Sequence, residues 1–388
     1  MVIMIIHAPR AEVDGTSAVL DTGRKRYTIR WRIPGDVSVT RAGDSFFVAG
    51  LLPSMASPLG SPPQPFTAAP EKTFVSETPV SPRLLQSVPA IQDIYLSWDR
   101  HHWRHTSPER RRLRRVRVEA AAAHPSEAKS GDGAASFFTA GVDSFYTALK
   151  HRDEIKALIY VEGFEYFDRP GAFDSAIQVV RGAAEALGKP LIELSTNLPT
   201  ISGHFLPWGH YHGAALASAA VLLSGNFQRV LIPATNTYNN LVPLGSHPMT
   251  DPLWSTDSVQ IVHDGCEANR IEKLTAISGS DAVRSFLRVC HEQPIDRPNC
   301  SSCEKCLRTM ISLEMVGTLD RFKTFSPLDP ETMDFSPPHG APAWRRGWQG
   351  LLRELQSRGG DRKLEDGIKR MLETGTGTTH GGSPERTC

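Results

Sequence analysis

The sequence predicts an α/β protein: a doubly wound parallel sheet with a C-terminal four-cysteine knuckle and an N-terminal β-rich unit. Three observations carry this expectation. From residue 135 onward, short apolar runs of strand length alternate with stretches of helical periodicity. Before about residue 50 the pattern instead alternates apolar and polar positions, as half-buried strands do. Four of the six cysteines, Cys290, Cys300, Cys303 and Cys306, fall in one short stretch. The implied boundaries are a β-rich domain over 1–118, a linker over 119–134, the main α/β domain over 135–325 with the knuckle at 290–306, and a helical extension and disordered tail over 326–388.

The first element is Met1-Val-Ile-Met-Ile-Ile-His7, read as a strand. It is too short for a signal peptide and lacks a basic n-region and a small-residue cleavage site. Strands are also expected over 27–33 and 45–49. Between 52 and 82 the chain is dense in Pro and Ser, as in an extended or crossing segment. The basic run 110–118 is read as a solvated strand or helix edge rather than an RNA contact, because the formal net charge is only +1. The stretch 120–133 reads as linker. No apolar run approaches the roughly 20 residues that span a bilayer, so a cytoplasmic, membrane-free protein is expected.

In the main domain, Ala135-Ser-Phe-Phe leads into the turn Thr-Ala-Gly-Val-Asp-Ser144, with a helix starting at about Ser144. Further strands are expected over 155–161, 190–195 and 229–233, and helices over 172–187, stopped by Gly188, and over 212–224. Such alternation gives a parallel sheet with ligands at the carboxyl ends of its strands. After 327 the pattern thins to one or two helices within 344–372 and a Gly-, Thr- and Ser-rich tail over 375–388.

A strand–turn–helix gathers backbone amides and a helix N-terminus around one point, which suits phosphate. The hydroxyls of Thr139 and Ser144 and the local amides are candidates for holding phosphate oxygens, and Asp143 for holding a hard cation such as Mg²⁺. The plain alternative is a capped helix start, since Asp and Ser cap helices with no ligand present. The cysteine spacing C-x9-C-x2-C-x2-C lets thiolates converge on one tetrahedral ion, as in structural zinc sites, although a Cys-x2-Cys-x2-Cys run also suits an iron–sulfur cluster. Four sulfur ligands leave no open position, so Zn²⁺ here is structural.

The turn resembles the pyrophosphate loop, Ser-Gly-Gly-x-Asp-Ser, of the PP-loop ATP pyrophosphatases. Gly141, Asp143 and Ser144 match, Thr139 keeps a hydroxyl at the first position, and Ala140 replaces a glycine. With the knuckle and its continuation Cys306-Leu-Arg-Thr309, the layout from about 135 to 317 resembles the 7-cyano-7-deazaguanine synthase family, as a diverged member. The resemblance implies an adenine nucleotide alpha hydrolase-like fold. It also implies an ATP-dependent C–N ligase that releases pyrophosphate while adenylating a carboxylate or amide oxygen of a small molecule, for attack by ammonia or an amine. The resemblance leaves the N-terminal unit unexplained.

The segment 236–255 follows a strand end and is read as the acceptor-substrate or adenylate-facing loop, anchored by His247 and Asp251; the alternative is that both cap turns around Pro248 and Pro252. Of His204, His210 and His212, one is expected to be functional. Among Arg270, Lys273, Lys305 and Arg308, Arg308 is the preferred transition-state cation, and Lys273 is read as an i,i+4 partner on a solvated helix. The catalytic candidates are thus Asp143, Ser144, His247 and Arg308, and the nucleotide-binding candidates Thr139, Ala140, Gly141, Val142, Asp143, Ser144 and Asp251. Two other readings stand beside the ligase: a nucleotide-binding module without chemistry, and a tRNA-modifying PP-loop enzyme. Oligomeric state is not legible.

Overall fold

The computed structural model describes residues 2–57, 72–106, 111–124, 131–165, 171–330, 333, 335 and 343–374. Its strands are β1 (Val2–Ile6), β2 (Arg10–Glu12), β3 (Gly15–Asp21), β4 (Arg26–Arg32), β5 (Lys72–Ser76), β6 (Val116–Glu119), β7 (Ala134–Phe137), β8 (Ile155–Glu162), β9 (Leu191–Thr196), β10 (Arg229–Pro233) and β11 (Gln260–Asp264). Its α-helices are α1 (Ala42–Met55), α2 (Pro82–Trp98), α3 (Arg104–Thr106), α4 (Val142–Lys150), α5 (Ala172–Ala186), α6 (Leu198–Ser202), α7 (Trp208–Leu222), α8 (Arg270–Ile277), α9 (Asp281–Phe286), α10 (Glu304–Met315), α11 (Ala343–Ser357) and α12 (Arg362–Thr374). The chain forms two compact units, one of 1–137, 150–166 and 190–267, the other of 138–149, 167–189 and 268–388.

The first unit holds a mostly parallel sheet in the order β11-β10-β7-β8-β9-β4-β3-β1-β5-β6, with β2 paired to β3. From β11 to β9 every pairing is parallel. β7 is buried along its whole length, which explains why it reads as an unbroken apolar run rather than an alternation. Strand order reverses between β7 and β10, the topological switch point where open α/β sheets take their ligands. The chain leaves β7 directly into the 139–144 turn and α4.

The N-terminal residues continue this sheet. β4 runs antiparallel to β9, with Trp31 opposite Thr196, and β1, β5 and β6 are mutually parallel. The expected β-rich unit also contains two long helices, and residues 45–49, expected as a strand, lie within α1. The reason is burial on every side. All of Asp44 to Met55 is enclosed, so the segment lacks the polar face that would mark a helical period. α1 packs on α7, where the hydroxyls of Ser45 and Ser218 each donate to the other residue's carbonyl at 2.8 and 2.9 Å. The expected linker is also ordered where it is described: Ala123 N donates to the Val80 carbonyl at 2.8 Å.

The second unit is helical. Asn269 starts α8 with a capping box closed by Glu272. Its core joins Ile271, Leu307, Ile311, Trp348, Leu355 and Ile368. Gly188 takes φ 67°, the left-handed stop expected after α5. The tail 375–388 lies outside the described residues, as do 58–71 of the Pro-rich segment and Arg110.

Candidate functional site

The 139–144 turn belongs to the second unit. Thr139 is exposed between buried Phe138 and Ala140. Ala140 takes φ 56°, the left-handed region that costs an L residue about 1–2 kcal/mol and that glycine enters freely. The departure from the loop pattern thus falls at the position where the backbone itself calls for glycine. Two contacts hold the strained residue. Arg288 N donates to the Ala140 carbonyl at 2.9 Å. On the other side, Ser144 Oγ accepts from the amides of Thr139 (3.3 Å) and Gly141 (3.0 Å) and lies 3.1 Å from the Gly141 carbonyl, to which it donates. Ser144 therefore sets the shape of the turn. Phe145 N to Gly141 O, 2.9 Å, is the first α-type bond of α4, so the amides of Val142, Asp143 and Ser144 precede it as the orphan donors of a helix start. A Cβ on Gly141 would stand 3.4 Å from Thr139 Oγ1, so the missing side chain keeps this face open.

Lys273 corrects the expectation of a solvated residue. It is 1% exposed, and its Nζ donates to Asp143 Oδ1 at 2.7 Å. The cap at Asn269 fixes the phase of α8 so that Lys273 shares the buried face with Ile271, Leu274 and Ile277. A lysine there needs a carboxylate, since burying an unpaired charge is costly. Arg270, one turn earlier, donates through Nη2 to Thr309 Oγ1 at 2.7 Å. Burial, and then the Arg308 guanidinium, lower its pKa to about 10 against the pull of Asp143, so it stays a cation at neutral pH. Arg308 lies on α10 with Nε 3.2 Å from Glu304 Oε1, and it packs so closely on Gly347 of α11 that a methyl group there would overlap it. Lys273 and Arg270 face Asp143, Arg308 faces Glu304, and the Cys306 thiol adds to the acidic side at Arg270.

In the knuckle, the sulfurs of Cys290, Cys300, Cys303 and Cys306 all lie within 4.8 Å of one another, close enough to hold one metal ion such as zinc. Cys290 to Cys303 is 3.8 Å and Cys300 to Cys306 is 3.9 Å. A tetrahedral ion with bonds of about 2.3 Å to sulfur separates its ligands by about 3.8 Å. Cys303 caps α10 and Cys306 stands one turn on, so the x2 spacing puts both thiols on one side. Amides of Cys303 (3.1 Å) and Ser302 (3.4 Å) point at Cys300 Sγ. Hydrogen bonds from Cys290, Cys303 and Cys306 hold the Cys300 thiol far below its usual range. Asn299, 1% exposed, ties the two limbs of the knuckle together. Its Oδ1 accepts from Val289 N (2.8 Å) and Cys290 N (3.1 Å), and its Nδ2 donates to the carbonyls of Leu287 (2.8 Å) and Thr324 (3.2 Å).

The 236–255 segment belongs to the first unit. Asp251 is fully buried there, accepting from Ser246 Oγ (2.6 Å), His263 Nδ1 (2.7 Å) and His247 N (3.1 Å). His247 is also buried. Its Nδ1 accepts from Met249 N at 3.0 Å and its ring meets Trp98 edge-on. Burial lowers its pKa, with His263 adding to the effect. Both anchors therefore cap their own turn. Asp251 also orients His263 at the end of β11, a residue for which the sequence pattern assigns no role: its Nδ1 faces the carboxylate, and its side chain is 5% exposed. Tyr238, 63% exposed, is the open aromatic of the segment. His212 is half-buried with its Nδ1 3.3 Å from the Trp208 carbonyl, and desolvation lowers its pKa. His210 stacks on Trp103 at 3.8 Å and His204 packs on Tyr27. The basic run is largely spent on internal partners: Arg111 on the Ser57 carbonyl, Arg112 and Arg115 on Asp99 and Asp93, and Arg117 on Glu119.

No described helix is long and apolar enough to cross a membrane. No known family model matches the chain, and neither does any curated protein.

Proposed function

We propose that this protein is an ATP-dependent adenylating enzyme of the PP-loop kind, a diverged relative of 7-cyano-7-deazaguanine synthase. It would split ATP to AMP and pyrophosphate while activating a carboxylate or amide oxygen for a nitrogen nucleophile. The observation that carries this reading is the turn that directly follows β7 in the chain, with a helix start, an exposed threonine and a paired Asp143. The strand order β9-β8-β7-β10-β11 supports an adenine nucleotide alpha hydrolase-like fold.

In this reading the first-turn amides and Thr139 hold phosphate oxygens, and Asp143 holds Mg²⁺. The substrate oxygen attacks the α-phosphorus, and the electron pair of the broken P–O bond leaves on pyrophosphate. Ammonia or an amine then attacks the activated carbon, and AMP departs with the oxygen. The chain's own work is positioning and charge stabilisation by Lys273, Arg270 and Arg308. The four thiolates would hold Zn²⁺ as a structural ion that fixes the start of α10 and thereby Arg308. In the first unit, Asp251 is too deeply buried to touch a ligand and acts through His263.

One specific observation favours a nucleotide-binding module without chemistry: the Ala140 methyl and the committed Ser144 hydroxyl both depart from an open phosphate loop. The deciding experiment is pyrophosphate release from Mg²⁺-ATP over a panel of carboxylates, with and without ammonia. Release should depend on substrate and fall about a hundredfold or more in Asp143→Ala, the scale of losing one charge-stabilising group. Unchanged turnover in that variant would sink the proposal, and ATP binding with no release under any substrate would select the module.

A further inference from the structure

Ala140 is an L residue at φ 56°, and the hydrogen bond that reaches its carbonyl from Arg288 comes from the metal knuckle. The main chain of 287–290 serves both places at once. The Leu287 carbonyl accepts from Asn299 Nδ2 at 2.8 Å, and Arg288 N donates to the Ala140 carbonyl at 2.9 Å. The next two amides, of Val289 and Cys290, both donate to Asn299 Oδ1. Cys290 is one thiol of the cluster, and Cys300, directly after Asn299, points its own amide at Cys290 Sγ at 3.5 Å. The approach extends one residue along the turn, since a Cβ on Gly141 would stand 3.7 Å from the Arg288 carbonyl. A hydrogen bond contributes about as much as the left-handed region costs an L residue. The bond from Arg288 is therefore large enough to decide whether Ala140 stays left-handed, provided that Arg288 is itself held in place.

We propose that the four-cysteine knuckle is the clamp of the 139–144 turn. With Zn²⁺ on the thiolates, the limb 287–290 is fixed where Arg288 N keeps Ala140 left-handed. Without the ion the thiols need not converge, the limb loosens, and the turn relaxes to an ordinary backbone. Arg288 is then a positioning residue that works through its main chain. A glycine at 140 would enter the left-handed region freely and leave the turn indifferent to the limb, whereas alanine makes the turn depend on it. Such a coupling is reciprocal, so the strain that metal binding imposes on Ala140 must weaken metal binding in turn. The inference rests on the four thiolates as a metal site and not on the nucleotide reading, and it holds whatever the turn binds.

The test uses the full chain and two readouts: Zn²⁺ affinity by competition with a chelating dye, and hydrogen exchange followed by mass spectrometry. In wild type, removing Zn²⁺ with a mild chelator should speed exchange over 139–145 by about tenfold or more, while α8 changes by less than about threefold. In Ala140→Gly, Zn²⁺ should bind about threefold or more tighter. Strain worth about tenfold disappears there, and the greater freedom of glycine in the relaxed turn returns part of the gain. Exchange in the turn that ignores Zn²⁺ overturns the clamp, and so does an unchanged Zn²⁺ affinity in Ala140→Gly. Release of α8 to the same extent as the turn also overturns it, because that is unfolding of the whole unit. A wild type that holds no Zn²⁺ overturns the metal site and this inference with it, and leaves the nucleotide reading to its own experiment.

Discussion

Replacing Asn299 by alanine should damage the metal knuckle more than any single non-cysteine change near it. The side chain makes four hydrogen bonds to main-chain groups of Val289, Cys290, Leu287 and Thr324. Each such bond contributes about 0.5–1.5 kcal/mol net, and a buried group left unpaired costs about 1–3 kcal/mol. Water entering the vacated volume recovers part of this, so a loss of about 3 kcal/mol is expected rather than the full sum. For a unit of this size that is a fall in Tm of about 6–12 °C. The thiols depend on the same bonds, because Val289 and Cys290 are held by Oδ1 while Cys300 comes directly after Asn299. The assay is differential scanning calorimetry with elemental analysis before and after mild chelation. Wild type should keep about one zinc per chain, and Asn299→Ala should release it markedly faster. A Tm within about 2 °C of wild type with unchanged metal retention would refute the idea that Asn299 braces the site.

Ala140→Gly should be close to neutral. It relieves about 1–2 kcal/mol of left-handed strain but adds about 0.5–1 kcal/mol of chain entropy and removes a buried methyl worth about 0.8 kcal/mol. A change above about 2 kcal/mol in the urea midpoint analysis would contradict this balance. Acid should weaken the protein through His212 and His247. Burial lowers both pKa values, so the unfolded chain takes up protons that the native one refuses. Their stabilising contribution is whole above about pH 6.5 and is lost as pH falls through and below it. The fall in Tm from about pH 7.5 to about pH 5.5 should be smaller in His247→Gln than in wild type. Asp44, raised by its burial, acts in the opposite direction but is common to both proteins. Equal falls in the two would remove His247 as a contributor.

How much of the molecule was legible in the sequence depends on how local each cause is. β8, β9 and β10, the stop at Gly188 and the four-cysteine knuckle are written in adjacent residues, and the structure has them there. Residues 45–49 misled because a helix enclosed on all sides loses its period. Lys273 misled because its partner, Asp143, is 130 residues away. A signal was present nonetheless. The Asn269 cap sets the helical phase, and Lys273 then falls beside Leu274 and four residues before Ile277, on the apolar side. For His263 no such signal existed, since a histidine at a strand end acquires a role only when a turn brings Asp251 to its Nδ1.

The pairing of β4 with β9 bears on how this chain is made. Trp31 and Arg32 emerge from the ribosome long before Thr196 and Ser195, their partners across the sheet, and Asn197 later clasps Thr28 and Arg30 with its amide. Until then β4 is an unpaired border, the kind of backbone to which other chains adhere. A protein begun near residue 131 would have the complementary exposure, with β9 as its outer strand and nothing on its far side. The N-terminal residues are in this sense the selvedge of the sheet: woven first, joined last, and not removable without fraying the strands beside them.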